Sequence, residues 1–247
     1  MKILLGGLCG RMGREVAALC AVGVHGAILV GGVDKAAVGA EIVPCAACYD
    51  EAEAAGAECI IDFSHHTATT ALLAFAVKHT LPLVLATTGH TAEEREQIRR
   101  AAEMIPLLQT ANCSLGTVLM QKLVKEAVRA LPEADVEIVE THHTAKADAP
   151  SGTALALADA VREVRPGASL LCGRTGRRGE KEIGIHSLRL GGAVGTHEVI
   201  LGTSAQTLTI RHEAHSRALF AEGALAAAEF LIGRPAGLYG MADLLGS

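Results

Sequence analysis

Residues 2–13 read Lys2-Ile3-Leu4-Leu5-Gly6-Gly7-Leu8-Cys9-Gly10-Arg11-Met12-Gly13. The apolar run at the start is typical of a buried strand, and a helical pattern continues beyond the glycines to Cys20. A strand, a tight glycine turn and a helix N-terminus form the arrangement that a dinucleotide pyrophosphate requires, because the backbone must approach the phosphates closely. This segment therefore predicts that the chain begins with a dinucleotide-binding β-α unit.

A second apolar run, Ile28 to Val33, leads into Asp34 and Lys35. A carboxylate at this place can accept hydrogen bonds from the adenosine ribose, and it repels a 2′-phosphate. Lys35 opposes that effect with a flexible positive charge. We therefore expect both NADH and NADPH to serve as cofactors, with NADH preferred by roughly one order of magnitude, or about 1.4 kcal/mol.

The first half of the chain alternates strand-like and helical patterns. This alternation predicts a Rossmann-like α/β domain, with a parallel sheet covered on both faces and ligands at the carboxyl ends of its strands. Five segments follow predicted strands and should converge there, namely Gly7, Asp34, Phe63-Ser64, Thr87-Thr88 and Asn112. The predicted strands are 2–6, 28–33, 58–63, 81–86 and 106–110, and the predicted helices are 11–21, 66–79 and 91–104.

The pattern changes after Asn112. A helix over 116–131, a strand over 136–141 and a helix over 153–164 precede three consecutive strand-like runs. Such a succession predicts an α+β domain with a mixed sheet. The three runs are Glu182–Leu190, Thr196–Leu201 and Thr207–His212, and a last helix is predicted over Arg217–Ile232.

The loop before the 153–164 helix concentrates polar side chains in His142-His143-Thr144-Ala145-Lys146-Ala147-Asp148-Ala149-Pro150-Ser151-Gly152-Thr153-Ala154. Ser151 is a good N-cap, so the amides of Gly152 and Thr153 would lie free in the first turn and bind a carboxylate or phosphate. The imidazoles supply proton donors near neutral pH. Successive strand residues point to opposite faces, so His142 and His143 need not have the same role, and a metal site formed by the pair is disfavoured.

Composition excludes several classes of protein. The net charge of -5 without a run of Lys or Arg argues against a nucleic-acid surface, and aromatic residues make up 2% of the chain. No apolar stretch is long enough to cross a membrane. The predicted strand at the N-terminus leaves no room for a signal peptide, and seven scattered cysteines suit a reducing cytoplasm. Cys45 and Cys48 lack a second ligand pair, so no metal is expected.

Motifs along the whole chain resemble those of the dihydrodipicolinate reductase family. They are Gly7-x-x-Gly10-Arg11-Met12-Gly13, Asp62-Phe63-Ser64, Thr87-Thr88-Gly89, Ala111-Asn112-x-Ser114, Glu140-x-His142-His143-x-x-Lys146-x-Asp148-Ala149-Pro150-Ser151-Gly152-Thr153-Ala154, Ile183-Gly184-x-His186-Ser187-x-Arg189, Gly195-x-His197-Glu198-Val199, His212-x-Ala214-x-Ser216-Arg217 and Gly237-x-Tyr239-x-Met241-x-Asp243.

The resemblance implies an activity and the residues that perform it. It implies reduction of 4-hydroxy-tetrahydrodipicolinate, or of dihydrodipicolinate, to tetrahydrodipicolinate with NAD(P)H in the diaminopimelate and lysine pathway. His142 matches the catalytic His and Lys146 the second proton donor, while His143, Lys146, Gly152 and Thr153 match the positions that hold the substrate carboxylates. The matching cofactor positions are Gly7, Leu8, Cys9, Gly10, Arg11, Met12, Asp34, Lys35, Ala86, Thr87, Thr88, Ala111, Asn112, Cys113 and Ser114.

The resemblance also implies a domain plan. Residues 1–114, with a C-terminal return of about 221–247, would bind the dinucleotide, and residues 115–220 would bind the dicarboxylate substrate and form a homotetramer. Three residues depart from the common family pattern. Cys9 and Ala86 stand in place of glycines, and Cys113 stands in place of a Phe, which could leave a looser pocket.

Two other readings stay open from the sequence. A homoserine or aspartate-semialdehyde dehydrogenase could share the two-domain plan, but the semialdehyde enzyme would need a nucleophilic Cys, for which Cys113 is the only candidate near the crevice. A non-catalytic nucleotide sensor could keep the fold, but it would have no need of both His142 and Lys146.

Overall fold

The structure is a computed structural model that describes residues 1–36 and 43–246. The chain divides into two compact units, one of Met1–Ser114 with Arg217–Ser247 and one of Leu115–Ser216. The return to the first unit lies at Arg217, slightly earlier than the expected 221. The reason is that the last helix begins at Ala218 and contacts other elements of the first unit.

The first unit is built on a parallel sheet with strand order β12-β6-β5-β4-β1-β2-β3 in the described residues. From β3 to β6 this is the doubly wound order, whose switch point lies between β1 and β4. The Rossmann-like prediction is therefore confirmed. The strands are β1 (Lys2–Gly6), β2 (Ile28–Val33), β3 (Cys45–Ala46), β4 (Cys59–Asp62), β5 (Leu83–Leu85), β6 (Pro106–Gln109) and β12 (Gly237–Tyr239).

Helices cover this sheet for reasons visible in the sequence. Thr91 and Glu94 form the predicted capping box, which satisfies donors at the helix start. Leu4, Ile60, Leu83 and Leu107 are buried between sheet and helices, so the aliphatic core substitutes for the scarce aromatics. The helices are α1 (Arg11–Ala21), α2 (Thr69–Lys78), α3 (Ala92–Ala102) and α6 (Ala218–Leu231).

The second unit contains the predicted mixed sheet, with strand order β11-β10-β7-β9-β8. Strand β7 (Asp135–His142) pairs in parallel with β9 (Glu182–Arg189) and antiparallel with β10 (Gly195–Gly202). The outer strands are β8 (Ser169–Cys172) and β11 (Thr207–Ala214), and the helices are α4 (Leu115–Ala130) and α5 (Gly152–Val164). Val136, Ile138 and Leu157 lie in the core between the sheet and these helices.

Three strands of the described residues were not predicted from the sequence, namely β3, β8 and β12. They have two to four residues and lie at or next to sheet edges, so no alternation of buried and exposed side chains marks them. In the described part of the chain, every helix falls short of the length and apolarity that crossing a bilayer demands.

Candidate active site

The glycine turn after β1 has the tight geometry predicted for it. Gly7 has φ 76°, a conformation that other residues rarely adopt, and its N–H donates to the carbonyl of Val33 at 2.8 Å. A Cβ on Gly13 would lie 2.1 Å from the carbonyl oxygen of Gly7, so helix and turn meet only without a side chain there. Helix α1 has no side-chain cap, which leaves the amides of its first turn available for an anion.

Asp34 lies directly after β2 and anchors this turn. Its Oδ2 accepts the backbone N–H of Cys9 at 2.9 Å, and its Oδ1 accepts that of Ala36 at 2.8 Å. Lys35 is exposed beside it. Asp34 and Lys35 line a pocket of about 390 Å³ together with Gly7, Gly10, Val33, Ala47, Cys48, Tyr49, Phe63, Ser64, His65, Thr67, Ala68 and Ala71.

A buried carboxylate joins the loops around this crevice. Asp62, at the end of β4, accepts the hydroxyl of Tyr49 at 3.0 Å and that of Thr87 at 2.6 Å. Burial raises the pKa of Asp62, although the hydrogen bond from Thr87 acts in the opposite direction. Asp62 and Tyr49 were not predicted as site residues, although Asp62-Phe63-Ser64 is one of the motifs that resemble the family.

The remaining predicted cofactor residues lie in the glycine turn, in the first turn of α1, or shortly after β5 and β6. The N–H of Ala86 donates to the carbonyl of Asp62 at 3.0 Å, and that of Ser114 donates to Oδ1 of Asn112 at 2.8 Å. Thr88 and Ala111 are exposed, whereas the side chain of Leu8 is buried. Leu8 can therefore offer only its backbone to a ligand on this edge.

Cys113 belongs to the core of the first unit. Its side chain is buried, and a Cβ on Gly223 of α6 would lie 1.8 Å from its carbonyl oxygen. Burial raises the pKa of the Cys113 thiol to about 12. A thiol in this state is a poor nucleophile, which argues against the semialdehyde dehydrogenase reading. The thiol is buried inside the first unit, and the looser pocket stays a prediction.

His142, the last residue of β7, is held by a fully buried carboxylate two residues before it. Its Nδ1 lies 2.5 Å from Oε2 of Glu140, whose side chain is 0% exposed. Arg189 on β9 donates from both guanidinium Nη atoms to the two oxygens of Glu140, at 3.0 Å each. Burial alone would raise the pKa of Glu140, but hydrogen bonds from Arg189, Ser187 and His142 outweigh it and lower the pKa to about 2.

Ser151 caps helix α5 as predicted. Its Oγ accepts the N–H of Ala154 at 3.2 Å and lies 3.0 Å from Nε2 of His197 on β10. The backbone N–H of Ser151 donates to Oε1 of Glu140 at 3.2 Å. The rings of His197 and His142 meet edge to face with centroids 5.1 Å apart. Burial, and then the nearby His142, lower the pKa of His197 to about 4, so this imidazole is neutral.

Lys146 lies in the loop between β7 and α5, where its Nζ pairs with Oδ1 of Asp148 at 2.8 Å. This ion pair lowers the pKa of Asp148, chiefly through the hydrogen bond from Lys146. Lys146 also donates its backbone N–H to the carbonyl of His143 at 3.1 Å. His143 and Thr153 are half-buried, and Gly152 is exposed at the start of α5. One end of the second unit thus carries all five predicted catalytic and substrate residues.

Among the described residues, one group could hold a metal ion, namely Glu140, His142 and His197, whose potential ligand atoms lie within 4.8 Å of one another. Each oxygen of Glu140 already accepts two hydrogen bonds, and a carboxylate offers about four lone-pair positions in all. A metal ion would have to displace Arg189 or His142. We therefore assign no metal to this group.

Glu140, Arg189 and His197 were not predicted as site residues. All three belong to the family-like motifs, and Glu140 also shares the strand face of His142. Glu140 could have been predicted from the sequence, because it is an acidic residue on the inward face of a strand. Nothing local in the sequence places Arg189 or His197 beside it.

Comparisons with known proteins match nearly the whole chain to one family. The family described as "Dihydrodipicolinate reductase, N-terminus" matches residues 1–113, and "Dihydrodipicolinate reductase, C-terminus" matches residues 116–245. The chain is 42% identical over 249 residues to the 4-hydroxy-tetrahydrodipicolinate reductase of Caldanaerobacter subterraneus subsp. tengcongensis, covering 99% of this chain and 98% of that one. It is also 42% identical over 257 residues to the enzyme of the same name from Akkermansia muciniphila, with 100% and 98% covered.

A solved structure is similar over nearly the whole length. The dipicolinate-bound dihydrodipicolinate reductase from Paenisporosarcina sp. TG-14 superposes with a TM-score of 0.83 at 26% identity, covering 98% of each chain. The shared architecture includes both the parallel sheet and the mixed sheet described above.

Proposed function

The chain belongs to the dihydrodipicolinate reductase family, and we propose that His142 and Lys146 perform its proton chemistry on a dicarboxylate held at the start of α5. Its activity is that of a 4-hydroxy-tetrahydrodipicolinate reductase, an oxidoreductase of diaminopimelate and lysine biosynthesis that uses NAD(P)H. The observation that carries the residue assignment is the cluster of His142, Lys146 and the capped N-terminus of α5 at one end of the second unit.

The reaction needs an acid, because hydride addition to a conjugated imine leaves an enamine-like anion that must gain a proton. Nδ1 of His142 faces the carboxylate of Glu140, so Nε2 remains as the atom that exchanges a proton with substrate. A Cβ on Gly195 would lie 3.1 Å from that Nε2, so the glycine leaves room in front of it. His142 thus combines a ring fixed through Nδ1 with a second nitrogen for the proton exchange proposed here.

The substrate carboxylates need positive groups. The backbone amides of Gly152 and Thr153 lie in the first turn of α5, where the helix dipole favours an anion. Lys146 supplies a full positive charge nearby on the same loop, and a carboxylate from the substrate would replace Asp148 as its partner. The neighbouring His143 is assigned to the same carboxylate site. Dipicolinate, the dicarboxylate bound by the relative from Paenisporosarcina, is the natural probe of this site.

The residues of the first unit fit a dinucleotide. The glycine turn admits close approach of phosphate to uncapped amides, and Asp34 and Lys35 line the adjoining pocket. When bound, the reduced nicotinamide supplies the hydride. We assign the remaining cofactor contacts to Leu8, Cys9, Arg11, Met12, Ala86, Thr87, Thr88, Ala111, Asn112, Cys113 and Ser114, with Leu8 and Cys113 acting through their backbone.

Three further statements belong to this proposal. NADH is preferred modestly over NADPH, as argued from Asp34 and Lys35. The first unit binds the dinucleotide, while the second binds the substrate and forms a homotetramer. A cytoplasmic location is expected of a biosynthetic enzyme of this family. Size-exclusion chromatography with light scattering tests the oligomeric state, and a mass other than that of four chains would contradict it.

The decisive experiment follows NADH oxidation with enzymatically generated 4-hydroxy-tetrahydrodipicolinate. Oxidation that depends on this substrate, and that is lost in His142→Gln, is the expected result. Aspartate semialdehyde is the matched alternative substrate. It is tested both for reduction by NADH and for oxidation by NAD⁺. Turnover of the semialdehyde in place of the cyclic dicarboxylate would favour the dehydrogenase reading. NADH binding without turnover of either substrate would favour a sensor.

A further inference from the structure

Glu140 forms hydrogen bonds both with His142 and with the residue that caps α5. Its Oε2 faces Nδ1 of His142 at 2.5 Å, and its Oε1 accepts the backbone N–H of Ser151 at 3.2 Å. Ser151 in turn caps α5, whose first-turn amides belong to Gly152 and Thr153. One carboxylate therefore joins the proposed proton donor to the proposed carboxylate cradle.

Arg189 keeps this carboxylate in a single position. Its two guanidinium nitrogens bind the two oxygens of Glu140 at 3.0 Å each, a forked geometry that Lys could not provide. Nη2 of Arg189 also donates to the carbonyl of Asp148 at 2.5 Å, which ties down the loop that carries Lys146. The guanidinium offsets a charge that would otherwise be costly to bury.

The ionised carboxylate also determines the tautomer of His142. An ionised carboxylate can only accept, so Nδ1 of His142 must carry the hydrogen in the 2.5 Å contact. Nε2 is then the nitrogen that gains and loses a proton, and it faces the space left by Gly195. A wrong tautomer would present an unusable nitrogen even with the ring in place.

We propose that Glu140, held by Arg189, is a positioning residue for this reaction: it fixes the Nδ1-protonated form of His142 and sets that ring at a constant distance from the cradle of α5. The inference rests on the proposed role of His142. It assigns no contact between Glu140 and the substrate, because the side chain of Glu140 is completely buried.

Glu140→Gln tests the proposal, because an amide keeps the size of the side chain and can donate as well as accept. We expect kcat to fall by about 10- to 100-fold, as is usual when the partner that orients a functional His is lost. Dipicolinate should bind more weakly, and NADH affinity should stay unchanged. Nitrogen NMR of labelled histidine should show that His142 loses its single Nδ1-protonated form.

Glu137→Gln is the matched control. Glu137 lies on the same strand and also takes part in ion pairs, with Arg174, Arg178 and His186, but it does not contact His142. The same substitution there should leave kcat and the His142 tautomer as in the wild type. A purely structural contribution of an ion-paired glutamate on β7 would instead affect both variants alike, and that result would overturn the proposal.

Two further outcomes separate this proposal from the proposed function. An inactive His142→Gln beside a Glu140→Gln variant with wild-type kcat and tautomer overturns the positioning role alone. A fully active His142→Gln overturns the role of His142 and this inference with it.

If Glu140→Gln does not fold, the double variant Glu140→Gln with Arg189→Met removes both members of the buried ion pair, which proteins tolerate better than the loss of one. The same fall in kcat is expected of that double variant, and unchanged kcat would overturn the proposal.

Discussion

The Oγ of Ser151 lies 3.0 Å from Nε2 of His197, so the residue that caps helix α5 is fastened to strand β10. Both side chains are buried, at 2% and 4% exposure. Because Oγ also accepts the N–H of Ala154, its own hydrogen is available to donate to the neutral imidazole of His197. The side chain of Ser151 therefore both caps helix α5 and forms a hydrogen bond with a residue of the sheet.

Ser151→Ala should remove both of these interactions. The lost cap and the unpaired buried nitrogen together should lower the free energy of unfolding by about 2 kcal/mol. In a chain of this size that corresponds to a melting temperature lower by roughly 4–8 °C. Calorimetry of the variant measures it, with the exposed Ser169→Ala as control. A melting temperature equal to that of the control would contradict the contact.

His142→Gln should lower kcat by at least about 100-fold, the lower range for loss of a general acid. NADH affinity should change little, because His142 lies in the second unit and the proposed dinucleotide site lies in the first. Steady-state kinetics and NADH fluorescence titration measure the two quantities. His79→Gln, an exposed histidine at the end of α2, is the control. Wild-type turnover in His142→Gln would remove His142 from the mechanism.

Lys146→Ala should weaken substrate binding and turnover together, since we propose that the ammonium both binds a substrate carboxylate and donates a proton. Loss of one charge-assisted contact of about 1.5–3 kcal/mol corresponds to about a 10- to 100-fold fall in kcat/KM. Lys125→Ala is the control, because Lys125 is paired to a carboxylate in the same unit but outside the cluster. A defect limited to NADH affinity would place Lys146 in the cofactor site and contradict its assignment to the substrate.

Asp34 and Lys35 should act in opposite directions on cofactor choice. Lys35→Ala should weaken the use of NADPH and leave that of NADH nearly intact. Asp34→Ala should reduce the preference for NADH over NADPH, which we expect to be about ten-fold in kcat/KM in the wild type. Since Asp34 also accepts the N–H groups of Cys9 and Ala36, the alanine variant should lose activity with both cofactors. Asp34→Asn removes the charge and keeps an acceptor, which separates the two effects.

The measurement for this pair is kcat/KM for NADH and for NADPH in the wild type and each variant. A wild-type enzyme with strong selectivity for NADPH would show that the carboxylate of Asp34 does not repel the 2′-phosphate. Equal losses for both cofactors in Lys35→Ala would show that Lys35 does not recognise it.

His197 should make the protein less stable in mild acid. Its pKa is lowered from the usual 6.5 to about 4 by burial and by His142. The unfolded chain therefore binds a proton at a higher pH than the folded chain does. The contribution of neutral His197 to the free energy of unfolding is therefore fully present above about pH 6.5 and is lost as the pH falls through about 4. Urea unfolding across this range should show a smaller decline for His197→Gln than for the wild type or the exposed His215→Gln. Identical declines in all three would contradict the neutral, buried state of His197.

Local patterns were sufficient to predict most helices and strands, because hydrophobic periodicity, caps and glycine turns act within a few residues. The turn from Gly7 to Gly13, the capping box at Thr91 and the cap at Ser151 all lie where the sequence places them. The very short strand β3, by contrast, forms only because β2 is beside it. Its two residues carry too little pattern to be recognised alone.

The residues of the candidate site divide in the same way. The sequence by itself determined that Glu140 and His142 share one strand face and that Ser151 opens a helix, because strand alternation and capping are local. Only the tertiary structure decided which side chains meet them. Strand β7 lies between β9 and β10, so His142 pairs in register with Arg189, and Glu140 with His197. Strand order and register depend on the packing of the whole sheet, and that packing brings a guanidinium and a neutral imidazole to the buried carboxylate.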